Sequence, residues 1–304
     1  MKRLVSLIPS ATEICFALGL GDQLVGVSHE CDFPAEASTK RSVTSSEAHT
    51  GLSSNEIDLL VRSQLDETGS IYDLDLKVLE ELRPDVIFTQ RLCTVCAVGY
   101  DHVKATVEQL SHTPLVVNLE PSTLSDVIDS FGIVAASAGC PQEATEPMAV
   151  MAGRFKEVQQ RCCNLSKPKV LFLEWCDPPF ASGHWIPQLI STAGATLTIV
   201  YDGSPSREIT HEMIDRSEPD IVIVAECGFD VARQRQDIPP FLERLNHIPS
   251  EVWIADGSQY FSRPGPRLVE SVEILVGIIH PELRDEYLPP FIAKGQVEKF
   301  FTRK

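Results

Sequence analysis

Two cysteines, Cys93 and Cys96, lie three positions apart directly after an apolar run that ends at Gln90. The spacing C-x-x-C occurs in dithiol redox centres, where a helix N-terminus lowers a thiol pKa, and in zinc sites. A closed structural zinc site needs a second pair at suitable spacing, and the sequence has none. The pair is therefore part of a larger metal or ligand site, or it consists of two buried thiols.

Other residues with useful chemistry follow further apolar runs, in "HECDFP", "EWCDPPFASGHW", "ECGFD" and "DGSQYFSRPGPR". Thiolates and imidazoles bind transition metals, haem iron and iron-sulfur clusters, whereas aromatic rings in polar loops are typical of ligand-stacking surfaces. The predicted ligand-binding residues are His29, Glu30, Cys31, Cys93, Cys96, Glu174, Trp175, Cys176, His184, Trp185, Cys227, Phe229, Tyr260, Phe261, Arg263 and Arg267. The candidate metal ligands among them are His29, Cys31, Cys93, Cys96, Cys176, His184 and Cys227.

The elements that must position these loops are predicted from apolar runs that alternate with helical patterns. Such runs, without polar alternation, are typical of buried strands in a parallel sheet. They occupy residues 4–8, 24–28, 85–89 and 115–119 in the first half, and 169–175, 197–201, 220–226 and 251–256 in the second. Ligands bind beyond the carboxyl ends of parallel strands, which is where the polar loops fall.

Two sequence patterns predict the domain organisation. The segments "LEELRPDVIFTQ" and "IDRSEPDIVIVAE" repeat one helix–strand unit, which indicates two similar lobes. Between them, apolar residues recur every three or four positions at Met148, Met151, Phe155, Val158, Cys162 and Leu165, the pattern of one amphipathic helix. We therefore predict an α/β protein with two Rossmann-like lobes that have parallel sheets, one long bracing helix and a ligand cleft between the lobes. The predicted boundaries are 1–138, 139–167 and 168–304.

A smaller pattern, "SATE" at Ser10 to Glu13, predicts a capping box that begins the first helix.

Composition restricts the function classes. The 304 residues carry 43 acidic and 26 basic side chains, a formal net charge of −17, which argues against nucleic acid and anionic membranes as partners. No apolar stretch is long enough to insert into a membrane, and the first residues do not read as a signal peptide. Nine cysteines without a regular framework fit a reducing compartment. We therefore expect a cytoplasmic protein, or a periplasmic one if a leader was removed.

Three segments carry a family resemblance: "RLVSLIPSATEICFALGLGDQLVGVSHECDFP", "LDLKVLEELRPDVIFTQ" and "SRPGPRLVESVEILVGIIHPE". They resemble the periplasmic-binding-protein family that includes the vitamin B12-binding and iron-siderophore-binding components of ABC importers, and most of all its cobalamin-binding branch. The resemblance implies two α/β lobes with the ligand held between them, and an ABC permease as partner if the chain is exported.

The leading hypothesis is a non-enzymatic binding protein for a corrinoid, such as cobalamin, or a related large metal-containing cofactor. The apolar faces of the cofactor would contact the rings of Trp175, Trp185, Tyr260 and Phe261. The amide or phosphate groups of the cofactor would contact Arg263 and Arg267.

A second hypothesis is the binding of a transition metal, haem or an iron-sulfur cluster through the candidate thiols and imidazoles. Both hypotheses hold together if a Cys or His is an axial ligand to the cobalt of a corrinoid. A third is an enzyme acting on such a cofactor, with a Cys thiolate as nucleophile or reductant and His29 or Glu174 as proton carrier. No catalytic residue is assigned, because the sequence contains no recognisable set of nucleophile, base and orienting group.

Overall fold

A computed structural model of the chain describes residues 1–45, 51–68, 72–91, 100–245 and 251–302. The chain forms two compact units, each assembled from three segments. Unit 1 comprises Met1–Leu52, Glu56–Pro121 and Ser125–Met151, and unit 2 comprises Ser53–Asn55, Ser122–Leu124 and Ala152–Lys304.

Strands and helices alternate along most of the chain, as expected for an α/β fold. The strands are β1 (Leu4–Ser6), β2 (Leu24–Val27), β3 (Arg41–Ser42), β4 (Thr44–Ser45), β5 (Asp73–Leu74), β6 (Val86–Thr89), β7 (Leu115–Asn118), β8 (Lys169–Cys176), β9 (Pro179–Ala181), β10 (Gly183–His184), β11 (Thr196–Leu197), β12 (Tyr201–Asp202), β13 (Arg207–Glu208), β14 (Ile221–Val224), β15 (Glu251–Ala255) and β16 (Val297–Thr302). The helices are α1 (Pro9–Ala17), α2 (Ser54–Thr68), α3 (Leu76–Leu82), α4 (Tyr100–Val107), α5 (Leu124–Ala138), α6 (Thr145–Cys162), α7 (Ile186–Thr192), α8 (His211–Ser217), α9 (Val231–Asp237), α10 (Pro239–Arg244), α11 (Gly257–Tyr260), α12 (Leu268–Ile279), α13 (Arg284–Tyr287) and α14 (Pro289–Ala293). In the described ranges no helix is both long enough and apolar enough to cross a membrane.

Unit 1 contains a parallel sheet in the order β3-β2-β1-β6-β7. Its central strand β1 and the adjacent strand β6 are buried along their whole length. Burial on both faces explains why these strands have no polar alternation in the sequence. The predicted parallel sheet of the first half is therefore confirmed.

Unit 2 contains a mixed sheet rather than a purely parallel one. Its parallel strands β8, β14 and β15 follow the predicted pattern. However, β9 and β16 pair antiparallel with β8 and β15, β13 pairs antiparallel with β9, and the short β11 pairs parallel with β8. The antiparallel hairpin escaped prediction because only Asp177 and Pro178 separate β8 from β9, within a run expected to be a loop. The single strand predicted at 197–201 is wrong, since β11 and β12 are separate.

The repeated segment identified in the sequence has the same local structure in both units. The C-cap residues that follow α3 and α8, Arg83 and Glu218, share the left-handed angles φ 44° and ψ 59°. In each unit, the aspartate two residues later accepts a hydrogen bond from a backbone amide at the start of the neighbouring strand. Asp85 Oδ2 accepts a hydrogen bond from the Arg3 amide, and Asp220 Oδ2 from the Lys169 amide, both at 2.7 Å.

The start of the first helix differs from the prediction. Helix α1 begins at Pro9 with Ile8 as its N-cap and has no side-chain cap. Proline is favoured at this first helical position because its φ is already helical and it lacks the amide hydrogen that would be unpaired. Ser10 and Glu13 consequently lie inside the helix and are buried. The predicted capping box is wrong.

The long helix predicted between the two halves is α6, 18 residues or about 27 Å in length. Its buried side chains are Met151, Phe155, Val158 and Cys162, four of the six residues in the predicted apolar pattern. The helix ends at Cys162, so Leu165 lies beyond it.

Candidate functional site

In unit 2, a buried carboxyl group lies just beyond the carboxyl end of β14. Glu226 is 0% exposed, and its Oε1 accepts a hydrogen bond of 3.2 Å from the amide of Cys176, at the end of the adjacent strand β8. Burial, and secondarily the negative charge of Asp237, raises the pKa of Glu226 to about 8. The group is therefore neutral at pH 7. Among the described residues, Glu226 Oε2 has no hydrogen-bond partner.

The loop that follows Glu226 is held by one buried side chain, Gln234 in α9. Its Oε1 accepts from the Glu226 amide at 3.1 Å, while its Nε2 donates to the carbonyl oxygens of Ala255 at 2.8 Å and Phe229 at 3.2 Å. These contacts join the ends of β14 and β15 to the start of α9. Sequence reasoning missed Gln234, because a glutamine in a polar helical segment is normally exposed.

Glu174, in β8, is partly exposed. Ser206 donates its hydroxyl hydrogen to Glu174 Oε2, and the Gly183 amide also donates to this carboxyl group. Burial outweighs these bonds and raises the pKa of Glu174 to about 8. The carbonyl oxygen of Glu174 accepts from the amide of the half-buried Cys227 at 3.0 Å, so two predicted site residues are adjacent.

At the same ends of β8 and β14, one partly exposed aromatic ring packs on a buried one, Phe229, which is 8% exposed. Trp175 is partly exposed, and its ring centroid is 5.2 Å from that of Phe229 at an interplanar angle of 50°. The indole nitrogen donates to the Asp177 carbonyl at 3.1 Å, and the Arg233 guanidinium lies 4.9 Å from the Phe229 ring centroid. We call these two rings the Trp175–Phe229 pair.

The other three aromatic residues predicted to contact a ligand lie in the interior of unit 2. Trp185, Tyr260 and Phe261 are only 5%, 6% and 3% exposed. Trp185 donates its indole hydrogen to the Phe261 carbonyl at 3.1 Å, and the Phe261 ring packs 5.2 Å from that of Phe172. Helix α11 turns this segment inwards, which the sequence "DGSQYF" did not reveal.

The two predicted arginines are also buried. Arg263 donates to Ser258 Oγ and Arg267 to Gln259 Oε1, each at 3.4 Å. Both guanidinium groups act against the burial that raises the pKa of Asp256 to about 6. Asp256 is the N-cap of α11 and accepts from the Gln259 amide at 2.8 Å. In this structure the arginines stabilise a buried aspartate.

His184, the last residue of β10, has a left-handed φ of 52°, and its ring stacks on that of Trp185 at 5.6 Å. Partial burial lowers the pKa of the imidazole, which is thus neutral at pH 7. Within the described part of the chain, its Nδ1 has no hydrogen-bond partner.

In unit 1, His29 follows β2 and keeps 27% of its side chain exposed. Its Nδ1 is 2.7 Å from Thr44 Oγ1, its Nε2 is 3.3 Å from Glu30 Oε1, and its ring lies 5.6 Å from that of Tyr72. The neighbouring Cys31 is buried, and its sulfur accepts a hydrogen bond of 3.0 Å from Thr12 Oγ1.

Cys93 and Cys96 lie outside the described residues. Among the residues that the structure does describe, no group of three or more His, Cys, Asp or Glu side chains is placed to hold a metal ion. The free thiols found there are Cys15, Cys31, Cys140, Cys162, Cys163, Cys176 and Cys227. Burial raises the pKa of Cys176 well above its ordinary value, which makes this thiol a poor nucleophile.

Comparisons with known proteins agree with this architecture. A family model described as "Periplasmic binding protein" matches residues 4–245. An ABC transporter substrate-binding lipoprotein of Bacillus subtilis is 24% identical over 287 residues, which cover 92% of this chain and 81% of the relative. A vitamin B12-binding protein of Pectobacterium atrosepticum is 24% identical over 301 residues, covering 96% and 92%. A crystal structure of a periplasmic haem-binding protein from Pseudomonas aeruginosa has a TM-score of 0.70 at 17% identity, covering 92% of this chain and 93% of the other.

These comparisons overturn one expectation. The prediction of a cytoplasmic protein is wrong, since the matched family is that of periplasmic binding proteins and one relative is a lipoprotein. The prediction rested partly on the many unpaired cysteines. Four of the seven thiols described are buried, and a buried thiol behaves as a small apolar side chain whatever the compartment.

Proposed function

Because the chain belongs to the periplasmic-binding-protein family, we propose that it is the substrate-binding component of an ABC importer whose substrate is a corrinoid. The family consists of substrate-binding proteins, not enzymes, so the predicted non-enzymatic role is confirmed. The corrinoid itself is our proposal, and it deepens that general role.

The observation that carries the proposal is the Trp175–Phe229 pair. A corrinoid has a broad apolar macrocycle rimmed by amide groups, and the partly exposed ring of Trp175, supported from behind by the buried ring of Phe229 at 5.2 Å, offers a matching apolar surface. The Arg233 guanidinium beside Phe229 is placed to donate to acceptors at the rim of such a ligand. Both rings lie at the carboxyl ends of parallel strands, where α/β proteins commonly bind ligands.

Two carboxyl groups that are mostly neutral at pH 7 support the proposal that the ligand carries uncharged groups along its rim. At pH 7 Glu174 and Glu226, each with a pKa of about 8, are mostly protonated. A protonated carboxyl group donates one hydrogen bond and accepts others, which suits amide groups and avoids a buried negative charge. The name and coverage of the Pectobacterium atrosepticum relative point to the same ligand class.

Two further predicted contacts are part of the same proposal. We propose that His184 and Cys227, which belong to the same unit as the Trp175–Phe229 pair, also reach the ligand, since each keeps part of its surface exposed at a strand end. We further propose that the protein works outside the cytoplasm and delivers its ligand to an ABC permease, as the lipoprotein relative's name suggests.

The proposal is tested by equilibrium titration of the purified protein with cyanocobalamin, aquocobinamide and haemin, followed by absorption and tryptophan fluorescence. We expect saturable corrinoid binding at micromolar or tighter concentrations. Trp175→Ala should weaken it by roughly 5- to 30-fold, the equivalent of about 1–2 kcal/mol of ring contact.

Ile292→Ala is the matched control, because it removes an exposed apolar side chain in α14 and should leave binding unchanged. No corrinoid binding at tens of micromolar would reject the proposed ligand. Saturable haemin binding in its place would identify haem as the substrate.

A further inference from the structure

Strand β8 of unit 2 carries a β-bulge at Glu174. The neighbours Leu173 and Trp175 pair with consecutive residues of β9, so three residues of β8 lie opposite two. Side chains of a regular strand point to opposite faces in turn, and an extra residue interrupts this alternation and re-aims the side chain at the bulge. Bulges are common beside binding sites. This one sets the direction of the Glu174 side chain directly before the partly exposed Trp175.

The carboxyl group of Glu174 is oriented by the segment that packs on Gly183. A Cβ on Gly183 would collide with the Ser204 carbonyl oxygen and the Ser206 amide, so glycine allows this close approach. The His184 amide donates to the Ser204 carbonyl at 2.7 Å, which holds the segment against β10. Ser206 donates its hydroxyl hydrogen to Glu174 Oε2, and the Gly183 amide donates to the same carboxyl group. These two donors fix the carboxyl group before a ligand arrives.

The carboxyl group keeps hydrogen-bonding capacity for a ligand. An ionised carboxyl group has about four acceptor positions, and Ser206 and Gly183 occupy two of those on Glu174. When the group is protonated, its own hydrogen can also be donated to a carbonyl oxygen. A primary amide carries both N–H donors and a carbonyl oxygen. It can therefore pair with Glu174 in either protonation state.

A ligand carboxylate would be unfavourable at the same position. Burial raises the pKa of Glu174 to about 8, although the hydrogen bonds from Ser206 and Gly183 favour the ionised form. Among the described residues, the titratable group that acts on Glu174 is the thiol of Cys227, and its effect also raises the pKa. The surroundings thus penalise a negative charge. A ligand carboxylate would meet the same penalty, and repulsion from any ionised Glu174 would add to it.

We infer that Glu174 is a specificity-determining residue, which pairs with a side-chain amide at the rim of the corrinoid and rejects corrinoids that carry a carboxylate at that position. The inference rests on the proposed function and narrows its substrate class to amidated corrinoids. Corrinoids whose side chains have not been amidated, or have been hydrolysed, are then poor substrates.

The test uses the whole protein and compares cyanocobalamin with a series of derivatives, in each of which one side-chain amide has been hydrolysed to a carboxylate. Affinities are measured by titration at pH 7, followed by absorption and tryptophan fluorescence. We expect the derivative whose altered side chain meets Glu174 to bind roughly 10- to 100-fold more weakly than cyanocobalamin. This comparison needs no variant.

Two variants identify Glu174 as the cause of the discrimination. Glutamine carries no charge and donates N–H hydrogens to a carboxylate, so in Glu174→Gln the disfavoured derivative should recover to within about 3-fold of cyanocobalamin. Ser206→Ala leaves the carboxyl group in place but removes one of its two orienting donors, so it should reduce the discrimination. The exposed Glu243→Gln in α10 is the matched control and should discriminate as the wild type does. Urea unfolding checks that each variant is folded.

The outcomes separate this inference from the proposed function. Equal affinity of the wild type for cyanocobalamin and for every derivative overturns the role of Glu174 and leaves the corrinoid proposal standing. Unchanged discrimination in a folded Glu174→Gln variant does the same. Absence of binding by every corrinoid rejects the proposed ligand, and this inference with it.

Discussion

Replacing Glu226 by glutamine should abolish part of the pH dependence of stability. The fully buried carboxyl group has a pKa of about 8 in the folded protein, against an ordinary value of 4.5. Glutamine has nearly the same shape, and its side-chain oxygen can still accept from the Cys176 amide. The variant therefore changes the ionisation and little else.

The sign follows from proton linkage. Between pH 4.5 and about 8 the folded state holds a proton on Glu226 that the unfolded state has lost, so the free energy of unfolding falls as pH rises. The slope is about 1.4 kcal/mol per pH unit for one group. Between pH 5 and pH 8 the wild type should therefore lose roughly 4 kcal/mol of unfolding free energy through this group. The Glu226→Gln variant should not show this loss. Glu174 and Asp256, whose pKa values burial also raises, keep their contributions of the same sign in the variant.

The assay is urea unfolding at a series of pH values, followed by tryptophan fluorescence. The chain's three tryptophans, Trp175, Trp185 and Trp253, all lie in unit 2, so the signal reports on the unit that contains Glu226. The exposed Glu108→Gln is the control and should follow the wild type. Parallel pH profiles for Glu226→Gln and wild type would refute the buried, neutral carboxyl.

Two further predictions concern the loops around this carboxyl group. A Cβ on Gly257 would collide with the Glu226 backbone oxygen, so Gly257→Ala should lower the unfolding free energy by more than about 2 kcal/mol in the same urea assay. Gly153, in α6, has open space around it. Gly153→Ala should therefore raise the unfolding free energy by about 0.5–1 kcal/mol. Gln234→Met should lower the unfolding free energy by roughly 2–4 kcal/mol, because it removes the hydrogen-bond partner of the Glu226 amide and of the Ala255 carbonyl. A decrease of less than about 0.5 kcal/mol would contradict the role of Gln234 in joining the ends of these loops.

The elements that the sequence predicted correctly are those whose pattern reflects burial on both faces. The runs that became β1, β6, β8 and β14 are buried strands, and no alternative element explains four consecutive apolar residues so well. The apolar residues at intervals of three and four positions likewise predicted the amphipathic helix α6 directly. Short elements such as β9 and β10 were missed, because two or three residues carry no periodicity.

The candidate site was harder to predict, because residue type does not reveal exposure. Trp185 and Tyr260 stand in loops rich in Gly, Pro and Ser, which favours a surface position, yet both pack inside unit 2. Gln234 and Glu226 are the opposite case, since side chains of these polar types are usually exposed and both are fully buried here. Only long-range packing decides these cases, and a single sequence does not encode it locally.

The aspartate hydrogen bond that recurs in both units affects which alignment of the strands is stable. Asp85 and Asp220 each bind the amide at the beginning of the central strand next to their own. A strand that slipped by one position would forfeit this charged hydrogen bond and would also turn its buried side chains towards the wrong face. Each unit thus carries its own penalty against mis-registered pairing, which lowers the stability of a non-native alignment of its sheet relative to the native one.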